Sequence, residues 1–208
     1  MLRKLRYFFQ QSWLLLTSSF FFGLLIAVTN AALSDRIEQN RVAKLNALTK
    51  ALLPDAERFR PAEADIEVRL PDGSKQKATI FEAFSSDNER VGWSFNAHGT
   101  GFAGPIELVI AVDKDFGKIM GFNVLASSET PGFGDQMKSD YYRKQFTNAP
   151  AERLTLVKTG SPSIVDAQIV AITGATVTSQ AVVNIVNTFV TQIKDQMQKK
   201  GLIANVGQ

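Results

Sequence analysis

Ile172-Thr173-Gly174-Ala175-Thr176-Val177-Thr178-Ser179 separates a stretch of strand character, Ile164 to Ile172, from one of helical spacing, Ser179 to Gln198. In the second stretch Val182, Val183, Ile185, Val186, Phe189, Val190, Ile193 and Met197 share one broad apolar face, and Ser179 is its expected cap. A strand-to-helix junction leaves unpaired backbone N–H groups at the positive end of a helix, where a phosphate is readily held. Thr173, Thr176 and Thr178 supply hydroxyls there, and Gly174 and Ala175 leave room for a bulky group to approach the backbone. The same residues also suit an ordinary capped turn, and the residues alone leave both readings open.

Upstream, Asp65-Ile66-Glu67-Val68-Arg69-Leu70 alternates polar with apolar, and Pro71-Asp72-Gly73 supplies turn chemistry before Lys77 to Phe84, which predicts a hairpin. Val91 to Ala97, Ile106 to Val112 and Lys118 to Leu125 are further expected strands, the last two joined by a tight Asp113–Gly117 connection. Asp135 to Phe146 is expected to be a short helix. Strands and helices mix without regular βαβ alternation, so the expected class is α+β.

Two loops among these elements are rich in glycine. Glu129-Thr130-Pro131-Gly132-Phe133-Gly134 follows a strand; Pro131 and Gly132 set a turn, and Gly132 and Gly134 can take backbone angles closed to other residues. Such a loop can bring N–H groups to the edge of a flat polar ring or be a plain surface turn. His98-Gly99-Thr100-Gly101-Phe102-Ala103-Gly104-Pro105 lacks the third glycine and the context of a dinucleotide fold, and is expected to connect strands close to a cofactor.

Between Arg6 and Asp35 no charged residue occurs, and Trp13 to Leu33 is dominated by Leu, Phe, Ile, Val and Ala. As a helix this stretch spans about 31 Å, the thickness of a hydrocarbon core. Its length favours a retained single-pass anchor over a cleaved leader, although Thr29-Asn30-Ala31-Ala32 offers small residues. Arg3, Lys4 and Arg6 before it, with Asp35 and Glu38 after it, place the amino end in the cytoplasm and the rest outside, with Tyr7, Phe8, Phe9 and Trp13 near the inner interface. Ile37, Val42, Leu45, Leu48 and Leu52 then mark a second helix closed by Pro54. The expected organisation is 1–34 anchor, 35–60 helical connector and 61–208 extracytoplasmic domain.

Composition narrows the chemistry. Those three basic residues account for the net charge of +3, since residues 35–208 carry 20 basic against 20 acidic side chains. That balance gives no footprint for nucleic acid. Without cysteine, and with His98 as the single histidine, thiolate clusters, zinc–thiolate sites and c-type haem are excluded, and a redox role falls to an organic cofactor.

Thr173-Gly174-Ala175-Thr176 paired with the Glu129–Gly134 loop resembles the FMN-binding domain family of bacterial membrane redox complexes, over roughly residues 90–195. In size and layout the likeness is to the G-subunit branch in Rnf-type ion-translocating electron-transport complexes. The longer C subunits of sodium-translocating NADH:quinone reductases share the motif. The resemblance implies an electron-carrying subunit linking ferredoxin and NAD to ion movement, with other membrane subunits as partners, in a bacterial inner membrane with the domain periplasmic. It implies that a flavin transferase moves FMN from FAD onto Thr176 as a phosphoester. Thr173, Gly174, Ala175 and Thr178 match the motif's surroundings, and Glu129, Thr130, Pro131, Gly132 and Gly134 the loop beside the isoalloxazine. One departure stands out: the acid often found three positions before the first hydroxyl residue is replaced by Val170, and Asp166 is the nearest upstream carboxylate. An anchored structural or sensory domain without flavin is the alternative from another class.

Overall fold

An unbroken run without proline carries the chain through one helix, α1 (Leu2–Leu52), which ends just before Pro54. This computed structural model describes residues 2–62 and 64–203, with side chains except at positions 2–10 and 38. The sequence predicts two helices meeting near Ser34 and Asp35, and the structure has one. Neither residue breaks a helix, and the Ser34 hydroxyl donates back to Ala31 O at 3.0 Å. Leu15, Phe20, Phe21, Phe22, Leu25 and Ile26 are 61–70 % exposed along it. An apolar surface of this extent calls for a cover other than water. It belongs to the one helix, among the described residues, that is long and apolar enough to cross a membrane. The expected interfacial placement of Tyr7, Phe8 and Phe9 lies outside the described side chains.

The chain divides into two compact units, Met1–Lys44 and Leu45–Gln208. In the second, β-branched and aromatic runs build a six-stranded antiparallel sheet. Its strands are β1 (Arg58–Pro61), β4 (Ile80–Phe84), β5 (Arg90–Thr100), β6 (Pro105–Asp113), β7 (Lys118–Ser127) and β8 (Ala149–Pro150), in the order β1-β4-β5-β6-β7-β8. Trp93, Phe95 and Ala97 of β5 and Ile106, Leu108, Ile110 and Val112 of β6 point to one face, where they meet Val182, Val186, Phe189, Val190 and Ile193 of α3 (Thr176–Lys199) in the main core. On the other face Ala83 and Ala111 pack with Leu53 and Ala56, and Asn123 Nδ2 donates to Leu48 O at 3.0 Å. The final turns of α1 are thus part of this α+β domain.

The long central strands lie where the sequence puts them, and the Asp113–Gly117 connection is held by Asp113 Oδ1, which accepts from Gly117 N at 2.7 Å and Lys118 N at 3.0 Å. Shorter elements differ. The hairpin is tighter than predicted: β2 (Glu67–Arg69) pairs with β3 (Lys75–Lys77), while β4 leaves it for the main sheet. The free edge of β2 is saturated by two side-chain amides one helical turn apart. Gln192 bonds both N and O of Arg69 at 2.8 Å, and Gln196 bonds N and O of Glu67 at 3.2 and 2.6 Å.

Where one helix is predicted over Asp135–Phe146, three short turns stand: a 3-10 turn Gly134–Lys138, α2 (Asp140–Arg143) and a second 3-10 turn Lys144–Phe146. They bury Met137, Tyr142 and Phe146 rather than one helical stripe, and Phe122 meets Phe146 edge-on with centroids 4.8 Å apart. The predicted strand Ile164–Ile172 contracts to β10 (Gln168–Val170), which runs parallel to β9 (Thr155–Val157). Gln145 holds Val170 by its backbone N at 2.8 Å and O at 3.3 Å.

Candidate functional site

Helix α3 begins three residues earlier than predicted, at Thr176, with Ala175 as the residue before its first turn. Ser179 is therefore not the cap. It is fully buried inside the first turn, where its hydroxyl accepts from Ile172 N at 3.0 Å and donates to Ala175 O at 2.9 Å. These two bonds fold the Ile172–Ala175 turn onto the helix it precedes. Tyr142 reinforces them from below: its hydroxyl, pushed well above its ordinary pKa by burial, donates to Ser179 O at 3.2 Å. Gly174 makes the turn possible with φ +81°, a conformation that side chains resist.

The first backbone bond of the helix runs from Ser179 N to Ala175 O at 2.9 Å, so the N–H groups of Thr176, Val177 and Thr178 precede it. Ala175 offers no side chain to cap them. No acidic residue stands in this first turn. The result is an open positive helix end bearing the exposed side chain of Thr176.

Thr130–Phe133 is a turn closed by Phe133 N to Thr130 O at 3.2 Å, with Pro131 second and Gly132 third at φ +81°, the type II pattern. Gly134, in contrast, has no positive φ. Its requirement is space: a Cβ there would lie 2.3 Å from Glu129 Oε2 and 2.8 Å from Thr178 Oγ1. Gly134→Ala should therefore push these groups apart and cost roughly 1–3 kcal/mol. Urea unfolding measures it, and an unchanged midpoint would show that the contact is slack.

Both segments meet at a cavity of about 490 Å³ lined by Glu129, Thr130 and Gly134 from one side and Gly174, Ala175, Thr176 and Thr178 from the other. Thr173, Pro131 and Gly132 are exposed and shape the two turns without lining it. Phe102, Phe133 and Val177 complete the walls and are 71, 59 and 59 % exposed. The sequence signals for these three are slight: single apolar side chains among glycines and threonines. The His98–Pro105 connection reaches this cavity through Phe102, and Ala103 N–H donates to Glu129 Oε1 at 2.9 Å. His98 sits on β5 beside the Phe189 ring, centroids 5.9 Å apart, and does not line this cavity. Among the described residues no cluster of three or more His, Asp and Glu side chains is placed to hold a metal ion.

These residues fit a phosphorylated flat aromatic cofactor. A hydroxyl and free N–H groups suit the phosphate, and a mainly apolar cleft with aromatic rims suits the ring. The position a Cβ would take at Gly174 meets only Phe133 Cδ1, at 3.8 Å, which leaves the backbone open to close approach.

Comparison with known proteins points the same way. Residues 101–191 match the FMN-binding domain family. The chain is 32 % identical over 84 % of its length to the G subunit of the proton-translocating ferredoxin:NAD(+) oxidoreductase complex of Clostridium ljungdahlii, covering 85 % of that protein. It is 31 % identical over 78 % of its length to the G subunit of the Na(+)-translocating ferredoxin:NAD(+) oxidoreductase complex of Acetobacterium woodii, covering 80 % of that protein. In fold it is similar to the crystal structure of the C subunit of the Na(+)-translocating NADH-quinone reductase from Parabacteroides distasonis, with TM-score 0.53 and 18 % identity over 76 % of this chain and 95 % of that one. The chain belongs to the FMN-binding domain family, among the G subunits of ion-translocating oxidoreductase complexes.

Proposed function

We propose that this chain is the electron-carrying flavoprotein subunit of an Rnf-type membrane complex that couples ferredoxin and NAD to ion movement, with FMN joined through its phosphate to Thr176 Oγ1. The observation that carries the linkage is Thr176 itself: an exposed threonine at the open N-terminus of α3, on the rim of the flavin-sized cavity. Thr173 is also exposed but stands outside the lining, and Thr178 is buried with its hydroxyl engaged by Glu129.

In the attachment reaction Thr176 Oγ1 forms a bond to the FMN phosphorus of FAD while the bond to AMP breaks. AMP departs and the hydroxyl proton passes to the flavin transferase or to water. The helix N–H groups of Thr176, Val177 and Thr178 would hold the anionic phosphate. Phe102, Phe133 and Val177, which line the cavity, would flank the ring and limit water around it. Bound FMN supplies the one- and two-electron chemistry that this chain's own side chains lack.

In this reading residues 1–34 anchor the chain, 35–60 connect and 61–208 carry the flavin, with the last turns of α1 built into the domain. The three basic residues before the span keep the amino end in the cytoplasm and put the flavin domain on the periplasmic face of the inner membrane, beside the other membrane subunits. The test is in-gel flavin fluorescence after denaturing electrophoresis of the chain made with and without a flavin transferase. The expected result is a fluorescent band only with the transferase. A dark band in both cases contradicts covalent attachment: either the departure at Val170 defeats it or the transferase does not accept this chain.

A further inference from the structure

Glu129 is the only buried charged side chain among the described residues, 7 % exposed. Its Oε1 accepts from Ala103 N at 2.9 Å and its Oε2 from Thr178 Oγ1 at 2.5 Å. Donors on both oxygens satisfy the ionised form. Among the described ion pairs no cation accompanies it. The backbone closes around the group as well: a Cβ at Gly101 would lie 2.2 Å from Oε1, and one at Gly134 2.3 Å from Oε2. One carboxylate thus touches the 101–104 connection, the turn that leads into Gly134 and the first turn of α3, and it lines the cavity that they form. A buried anion is costly, and here its two donors and the positive end of α3 offset that cost in place of a cation.

We propose that Glu129 is a positioning residue: its carboxylate clamps the three walls of the cavity together and sets a fixed negative charge beside the bound flavin, which disfavours reduction. The clamp follows from this chain's hydrogen bonds, and the effect on reduction rests on the flavin reading above. A neutral amide of the same shape can keep Ala103 N bonded to its oxygen while Thr178 turns to accept from its NH₂ group. Glu129→Gln therefore removes the charge and spares the clamp, and Glu129→Ala removes both.

Two measurements separate the parts. Hydrogen exchange is read first in a Thr176→Ala background, which carries no covalent flavin. Glu129→Ala should speed exchange at Ala103 and its neighbours at least about tenfold while the central strands stay protected, and Glu129→Gln should restore most of the protection. With Thr176 intact, intact mass establishes that wild type and Glu129→Gln carry equal FMN, and spectroelectrochemical titration follows. Glu129→Gln should shift the midpoint positive, so that the ratio of reduced to oxidised flavin at a fixed potential rises roughly tenfold.

Unchanged exchange at Ala103 in Glu129→Ala overturns the clamp. A wild-type midpoint in loaded Glu129→Gln, or failure of that variant to load, overturns the charge role. A wild-type chain without FMN overturns the flavin reading and the charge role with it, and the exchange result still decides the clamp.

Discussion

Thr176→Ala is expected to give a folded chain that carries no covalently bound flavin. The Thr176 side chain is exposed, and no hydrogen bond of its hydroxyl occurs among the described residues; the turn before α3 is held instead by Ser179 and Tyr142. Removing an exposed, unengaged hydroxyl should change stability by no more than about 0.5 kcal/mol. Loss of the attachment oxygen, in contrast, is complete, because a phosphoester needs that atom. Thr176→Ser keeps the oxygen and should load. The check is thermal unfolding together with the visible absorbance of the denatured, desalted chain. Flavin absorbance retained by the alanine variant contradicts the assignment.

The largest loss of stability is expected from Phe189→Ala. Phe189 is fully buried midway along α3, in the core cluster that also holds the inward residues of β5 and β6, with the His98 ring beside it. Emptying such a site removes apolar burial and leaves a cavity, for a cost of about 3–5 kcal/mol. That is a large share of the stability of an ordinary domain. Because α3 also carries Thr176 at its start, partial undocking of the helix should reduce flavin loading before global unfolding. Urea titration of the chain's intrinsic fluorescence, reporting on the buried Trp93, measures the first effect. A loss below about 1 kcal/mol would mean that the neighbours collapse into the space.

The two segments that build the site are the parts most legible in the sequence, for local reasons. Pro131 and Gly132 dictate a turn wherever they occur in that order, and Thr173–Ser179 sits where a strand pattern gives way to a helical one. β5, β6 and β7 are legible because each is long and rich in β-branched or aromatic residues. What escapes is set by partners far along the chain. β1 and β9 have four and three residues, too few for periodicity to speak, and β10 keeps only three residues of the longer strand predicted there. Val170 is held through the amide of Gln145, and Leu154 N and O through Asn187 at 2.8 Å each. No local pattern announces an amide side chain that takes the place of a neighbouring strand.

Ser179 shows the same limit at the site itself. A serine at the start of an apolar helical face suggests a cap. Its actual partners, Ile172 N and Ala175 O, let the helix begin at Thr176 and free the N–H groups ahead of it. From the sequence Glu129 is placed by resemblance in the loop beside the isoalloxazine, with no sign that it is buried. Its burial appears only when Gly101, Gly134 and Thr178 converge on it.

The central claim is that Thr176, and not its neighbours, bears the flavin. It is tested most directly by peptide mass spectrometry of the membrane-extracted wild-type chain from cells containing the flavin transferase, with fragmentation of the peptide spanning Thr173, Thr176 and Thr178. The account predicts a mass increase equal to FMN minus water, located on Thr176. A modification located on Thr173 or Thr178, or an unmodified peptide, would contradict it.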